Sequence, residues 1–237
     1  MSGLDGLRVA VTGAAGGIGR AVCEHLAGEG AQVFALDRVE TDVAAYVSVD
    51  ITDERSIATA VATVLERAGG VDGLVTAAGI VENVPAEDMP VEVWDGVMAV
   101  NLRGVFLSCR AFARPMLAAG SGRIVNIASI SGNAIINFPQ QQSAYNASKA
   151  AVSALTRSLA VEWGQRGVRV NAVSPGYVNT PLVVENASMH DLWKRDIVAG
   201  RFAEPAEVAA AIAYLLSDEA AYCMGTELII DGGFSLR

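Results

Sequence analysis

Tyr145 and Lys149 stand four residues apart in a segment whose apolar residues, Ala147, Ala151, Leu155 and Leu159, recur at helical spacing. That spacing puts the phenol and the amine on one helix face. A phenol with a pKa near ~10 is a poor acid or base at neutral pH, and a lysine cation beside it favours the phenolate and draws that pKa toward the working range. Ser129 follows an apolar run, Ile124–Ala128, that reads as a buried strand. A hydroxyl at that strand end is placed to hold a substrate oxygen beside the phenol. Y-x-x-x-K alone also occurs on ordinary solvated helices, so the weight of the pair rests on the elements around it.

Those elements alternate strand and helix. Arg8–Thr12 reads as a strand, Thr12–Gly19 as a glycine-rich turn, and the residues through Ala27 as a helix. Glycines let backbone approach a pyrophosphate, and a helix start offers free N–H groups and a positive dipole. In this first strand–helix turn the candidate cofactor-binding residues are Gly13, Ala15, Gly17, Ile18 and Gly19. A second strand, Gln32–Leu36, ends at Asp37, 18 residues after Gly19. A carboxylate there accepts hydrogen bonds from ribose hydroxyls and repels a 2′-phosphate, which favours NAD; the adjacent Arg38 is the argument for NADP. Ala45–Val49 is a third strand, followed by Asp50-Ile51 and a helix to about Ala68 capped by Thr52 or Asp53. Only about seven residues join strands two and three. A parallel crossover normally takes a dozen or more, so either a helix is missing there or the strand limits are wrong.

Val71–Ala77 is a fourth strand, and the small residues Ala77, Ala78 and Gly79 let a cofactor lie flat on its end. One long helix is expected from Pro90 to about Ala118, with Asn101 inside it; Val168–Val173 and Leu228–Ile230 complete the strands. From Pro181 to about Arg201 the periodicity fades, which marks a candidate substrate lid over 178–201.

The chain has 237 residues and a net charge of −9, with 52% hydrophobic residues. That suits one α/β domain spanning 1–237 and argues against nucleic acid or an anionic membrane as partner. The N-terminal stretch lacks the features of a signal peptide, and no apolar stretch reads as a membrane span. Cys23, Cys109 and Cys223 read as reduced thiols of a cytoplasmic protein, and His25 and His190 as surface residues. No metal site is expected.

Together these pieces resemble the classical short-chain dehydrogenase/reductase family over essentially the whole chain. T-G-x-x-x-G-x-G falls on Thr12–Gly19, the family's tetrad on Asn101, Ser129, Tyr145 and Lys149, P-G-x-x-x-T on Pro175–Thr180, and D-G-G on Asp231–Gly233. The resemblance implies a Rossmann-type, doubly wound parallel sheet in the order 3-2-1-4-5-6-7, in three αβα layers. It implies NAD across the strand ends, with Asp50 and Ile51 flanking adenine, Lys149 holding a ribose, and Val178 and Thr180 fixing the carboxamide. Tyr145 would be the acid–base group, Ser129 would bond the reacting oxygen, and Asn101 would position a water in a relay through Lys149. It also implies a homodimer or homotetramer, paired through the long helices at about 91–118 and 143–163 with small residues such as Ala111, Ala150 and Ala154, plus the last helix and strand.

The chain departs from the family at Thr76-Ala77-Ala78-Gly79, where N-N-A-G is usual, and in a lengthened Ser129–Tyr145 spacing with extra residues in Ile135–Gln142. A Pro-Gln insert at this place is similar to a subgroup acting on polyols and sugars. Asn133, Gln140, Gln141 and Gln142 bring amides that suit a polyhydroxylated substrate. The leading expectation is an NAD-dependent dehydrogenase of a polyol, sugar or vicinal diol. The alternatives are a 3-oxoacyl thioester reductase, a cyclic dihydrodiol dehydrogenase, and a catalytically silent NAD-binding regulator.

Overall fold

The computed structural model describes residues 3–137, 139–184 and 189–237. Seven strands form one parallel sheet in the order β3-β2-β1-β4-β5-β6-β7. They are β1 (Arg8–Thr12), β2 (Gln32–Asp37), β3 (Ala45–Ser48), β4 (Gly73–Thr76), β5 (Gly122–Ile127), β6 (Val168–Pro175) and β7 (Glu227–Ile230). The inner strands are mostly apolar because both faces are covered; all four residues of β4 are buried, and the buried Asn126 of β5 and Asn171 of β6 are hydrogen-bonded.

One face carries α1 (Gly17–Gly28) and α8 (Pro205–Leu216), which pack through Val22, Leu26, Val208 and Ile212. The other carries α2 (Glu54–Ala68), α4 (Val105–Ala119) and α5 (Ser143–Gly164), packed through Ile57, Phe112, Val152 and Leu159. Asp53 is the cap of α2, its carboxylate accepting from the Arg55 N–H at 2.9 Å, and Gly69 closes that helix in the left-handed region. The sheet order reverses at β1, which has β2 on one side and β4 on the other. The crevice beyond these strand ends is where ligands bind in open α/β sheets.

Two expectations are sharpened. The long helix expected from Pro90 to about Ala118 is present and runs without interruption as α3 (Val91–Met98), a π-helical turn over Ala99–Gly104 and α4. The wide turn holds Asn101, whose buried amide is fully engaged outside the helix. The conflict between strands two and three resolves in favour of the strand limits: β2 and β3 pair in parallel and no helix lies between them. Residues 38–44 cross over α1 instead, held by an Arg20–Asp42 ion pair at 2.6 Å and by Val43 and Ala44 against the core.

Candidate active site

Asp37 ends β2 beside the glycine-rich turn. Its Oδ2 accepts from the Ala15 N–H at 3.0 Å and its Oδ1 from the Val39 N–H at 3.1 Å, which fixes the carboxylate and leaves lone pairs on both oxygens. The turn is packed backbone on backbone. Gly13 has φ of +70°, and a Cβ there would lie 2.4 Å from the Ala78 nitrogen; one at Gly19 would lie 2.1 Å from the Gly13 oxygen. No side chain caps α1, so its first-turn N–H groups are left for a ligand. A cavity of about 180 Å³ runs from Gly13 and Asp37 over Asp50 and Ile51 to Ala77, Ala78 and Gly79.

A second cavity, about 140 Å³, shares Ala77, Gly79 and Ile80 with the first and continues to Ile18, Ser129, Tyr145, Lys149, Val178 and Thr180. The two make one groove along the strand ends. Ala15, Gly17 and Gly19 line neither cavity. Ala15 donates its N–H to Asp37, and a Cβ on Gly17 would meet the Thr180 methyl at 2.7 Å. Arg38, the argument for NADP, does line the first cavity.

Ser129, Tyr145 and Lys149 meet where the groove opens into a third cavity of about 430 Å³, lined by Ser129, Tyr145, Asn83, Asn137, Gln140, Gln142, Tyr177 and Trp193. Burial pushes the Tyr145 phenol above its ordinary value, and a hydrogen bond with Ser129 acts against that shift. The expected lowering of this phenol by Lys149 is not present. The Lys149 ammonium donates to the Ile127 carbonyl at 2.8 Å and lies 5.8 Å from the Tyr145 ring centre. Lys149 itself is buried, and desolvation pulls its pKa down to about 8. Asn101 accepts from the Ile80 N–H and donates to the Ile80 carbonyl, both at 2.8 Å, and donates to Ser148 at 3.1 Å. It thereby fastens the segment after β4 to the helix that carries Lys149.

Two of the four expected loop amides are corrected. Asn133 turns away and donates to Glu227 at 2.8 Å, and Gln141 does not line the cavity. Gln140 donates to the Tyr177 hydroxyl at 3.0 Å and Gln142 to the Asn83 side chain at 2.9 Å. Phe138 lies outside the described residues, as do residues 185–188 of the lid expectation. The described part of that region is ordered: α6 (Pro181–Val184), α7 (His190–Asp196) and an aromatic cluster in which Tyr177 stacks on Trp193 at 4.4 Å. His190, expected at the surface, packs edge-on against Phe202 and bonds the Val183 carbonyl at 2.9 Å. Asn83, Asn137, Tyr177 and Trp193 were not among the expected site residues. They come from three separate segments, and only the fold brings them together. Burial pushes the Cys23 and Cys109 thiols up to about 12, so neither is a nucleophile at neutral pH.

A family model described as enoyl-(acyl carrier protein) reductase matches residues 13–235. The chain is 42% identical to a galactitol 2-dehydrogenase (L-tagatose-forming) of Cereibacter sphaeroides, over 98% of this chain and 96% of that one. The chain belongs to the short-chain dehydrogenase/reductase family. It is also similar to a D-threitol dehydrogenase of Mycolicibacterium smegmatis, at 40% identity over 99% and 95% of the two chains. A crystal structure of a short-chain dehydrogenase/reductase from Mycobacterium marinum superposes with a TM-score of 0.94, at 38% identity over 99% and 97% of the chains. This family member is therefore an oxidoreductase that uses a nicotinamide cofactor, with the seven-stranded Rossmann-type sheet expected of it. The groove fits that cofactor: its floor is glycine and alanine, one end carries a fixed carboxylate, and the other opens on the Ser129–Tyr145 pair.

Proposed function

We propose that this protein is an NAD-dependent dehydrogenase that oxidises a secondary hydroxyl of a polyol, sugar or similar vicinal diol, or reduces the matching ketone. The observation that carries this reading is the 430 Å³ cavity, which opens on Ser129 and Tyr145 and presents the side-chain amides of Asn83, Asn137, Gln140 and Gln142. Amides both donate to and accept from hydroxyls. The same wall also carries Val81, Ile130, Val183 and Trp193, but a groove for the acyl chain of a thioester, or a pocket for a simple alkyl alcohol, would not need the four amides beside them.

In this reading Ser129 holds the reacting oxygen and Tyr145 takes the alcohol proton, or returns it to the ketone. Bound nicotinamide supplies the hydride chemistry. Lys149 holds the adjoining ribose, its ammonium anchored on the Ile127 carbonyl. Asn101 fixes Ile80 and the Lys149 helix as a positioning residue. Gly13, Gly17, Ile18 and Gly19 cradle the pyrophosphate, Asp37 takes the ribose hydroxyls and disfavours a 2′-phosphate, Asp50 and Ile51 flank adenine, Ala77, Ala78 and Gly79 form the floor, and Val178 and Thr180 hold the carboxamide. The segment 178–201 acts as the substrate lid. The protein works in the cytoplasm as a homodimer or homotetramer. Exposed Phe106 on α4 and Val161 on α5 support pairing through those helices, and no helix among the described residues is long and apolar enough to cross a membrane.

The test is NADH formation on hexitols, pentitols, tetritols and butane-2,3-diol, with NAD and NADP side by side. Turnover of these substrates with NAD is the expected result. Turnover confined to acyl thioesters removes the polyol reading, and a preference for NADP means that Arg38 outweighs Asp37. Tyr145→Phe should lower kcat by about 10³-fold or more while NADH still binds, as loss of an acid–base group does.

A further inference from the structure

Asp231-Gly232-Gly233 stands out in the sequence, yet it lines neither cavity of the cofactor groove. What this turn presents is Phe234. The Asp231 Oδ1 accepts from the Gly233 N–H and its Oδ2 from the Ser235 N–H, both at 2.8 Å, so one carboxylate clasps the backbone on either side of Phe234. Gly232 and Gly233 have φ of +61° and +82°, and a Cβ would lie 2.8 Å from Ile197 on the first and 2.9 Å from Val198 on the second. The Ala199 N–H donates to the Gly232 carbonyl at 2.9 Å. The turn is thereby docked on the residues that follow α7.

Docking sets the Phe234 ring edge-on to Tyr177, at 5.3 Å between centres and 73° between planes. Trp193 of α7 stacks on the same Tyr177 ring at 4.4 Å, and Gln140 donates to its hydroxyl at 3.0 Å. Tyr177 and Trp193 line the 430 Å³ cavity, whereas Phe234 does not. Tyr177 also lines a separate cavity of about 140 Å³, with Ala199, Arg201, Asp231 and Gly232, and among the described residues it is the one that the two cavities share. A ring that borders two cavities keeps its place through its packing partners, because open space offers it no contacts.

We infer that Phe234 is a positioning residue for substrate binding: it holds the Tyr177 ring in the wall of the large cavity without touching substrate itself. This rests on the reading of that cavity as the polyol site and deepens it. Without the edge contact, Tyr177 gains freedom to lean toward the smaller cavity, and a polyol meets a loosened wall. Phe234 lines neither the cofactor groove nor the space around Ser129 and Tyr145. Hydride transfer from substrate already bound should therefore proceed as before.

The experiment measures KM and kcat for galactitol and butane-2,3-diol at saturating cofactor, and NADH affinity by fluorescence titration, in the full chain as wild type, Phe234→Ala, Phe234→Leu and Phe234→Tyr. The leucine variant keeps apolar bulk against Ile197 and Phe202, so it reports where the alanine variant fails to fold. The tyrosine variant keeps the ring edge. KM should rise about 3- to 10-fold in the alanine and leucine variants, the size of effect an aromatic pair carries, with kcat and NADH affinity within ~2-fold of wild type. The tyrosine variant should keep KM within ~2-fold of wild type. An unchanged KM in a folded alanine or leucine variant, a kcat or NADH affinity that falls as far as KM rises, a tyrosine variant as impaired as leucine, or failure of both smaller variants to fold overturns the positioning role and leaves the dehydrogenase reading in place. A wild type that turns over no polyol or diol removes that reading, and the positioning role with it.

Discussion

The two ends of the proposed active site are built in different ways. The cofactor end is backbone packed on backbone: Gly13 against Ala78, Gly19 against Gly13, with Asp37 pinned by main-chain N–H groups. The substrate end is side chain packed on side chain. Asn83, Asn137, Gln140, Tyr177 and Trp193 reach one cavity from three stretches of sequence. A backbone cradle tolerates almost no substitution and serves one ligand. A cavity walled by side chains can be re-cut residue by residue, which is how one scaffold serves many substrates.

The sharpest way to break this contrast is to add one methyl to each end. Gly19→Ala puts a Cβ 2.1 Å from the Gly13 oxygen, a backbone atom that cannot step aside. We expect loss of measurable NADH binding, with misfolding in a large fraction of the protein. Gly132→Ala is equally crowded, 2.1 Å from the Asn146 oxygen, and forces an alanine to φ of +86°. It sits in the substrate loop, so the loop should undock from α5 while the cofactor end survives. The expected outcome is NADH affinity within ~3-fold of wild type and kcat/KM on polyols down by about 10²-fold or more. Equal damage to NADH binding in the two variants, read by fluorescence titration, would show that the ends are not separable.

The same contrast explains what the sequence makes legible. A backbone cradle needs glycines and small residues at fixed intervals, so Thr12–Gly19, Asp37 and Ala77–Gly79 can be read directly, whereas the strand order comes only with the family resemblance. Ser129, Tyr145 and Lys149 are readable because they lie within one strand–loop–helix unit. Asn137 and Tyr177 are not, because their meaning comes from meeting across 40 residues of sequence. Asn133 and Gln141 show the reverse error: the right residue type in the right loop, but Asn133 is turned to Glu227 and Gln141 does not line the cavity. The Tyr145–Lys149 pair is a related case. Spacing places Lys149 on the same helix face but cannot show that its ammonium is held by the Ile127 carbonyl.

Lys149 lies where the two ends meet and offers a prediction of opposite sign in stability and activity. Its folded pKa is about 8, below the ordinary 10.5. Between those values the unfolded chain binds more protons than the folded one, so stability rises with pH through that window, and below it the buried cation costs the fold its full amount. Lys149→Met should therefore stabilise the protein at pH 7, by ~2 kcal/mol once the lost bond to the Ile127 carbonyl is subtracted. That gain should shrink by pH 9.5, and turnover should be lost at both values. Urea melts at the two pH values check this, and a variant less stable than wild type at pH 7 would show that the ammonium–carbonyl bond outweighs desolvation.

The smallest expected effect tests whether the substrate end has a support of its own. Glu227 on β7 accepts from Ser153 of α5 at 2.9 Å, from Ser174 of β6 at 2.5 Å and from Asn133 of the substrate loop at 2.8 Å. One carboxylate thus ties the loop to the helix that carries Tyr145, and touches nothing in the cofactor groove. Glu227→Ala leaves those donors without their acceptor, at a cost of ~1–3 kcal/mol in stability, because a buried donor stripped of its partner still carries its desolvation. Ser153 can fall back on the Lys149 carbonyl, to which it already lies at 3.4 Å, whereas Asn133 has no such alternative among its described contacts. The loop should loosen more than the helix. KM for a polyol should then rise about 3- to 10-fold with kcat and NADH affinity little changed, because the acid–base pair stays in place while the loop behind Asn137 moves. Glu227→Gln, which keeps an acceptor oxygen, should recover most of the KM. A fall in kcat with KM unchanged would place Glu227 under Tyr145 rather than under the loop.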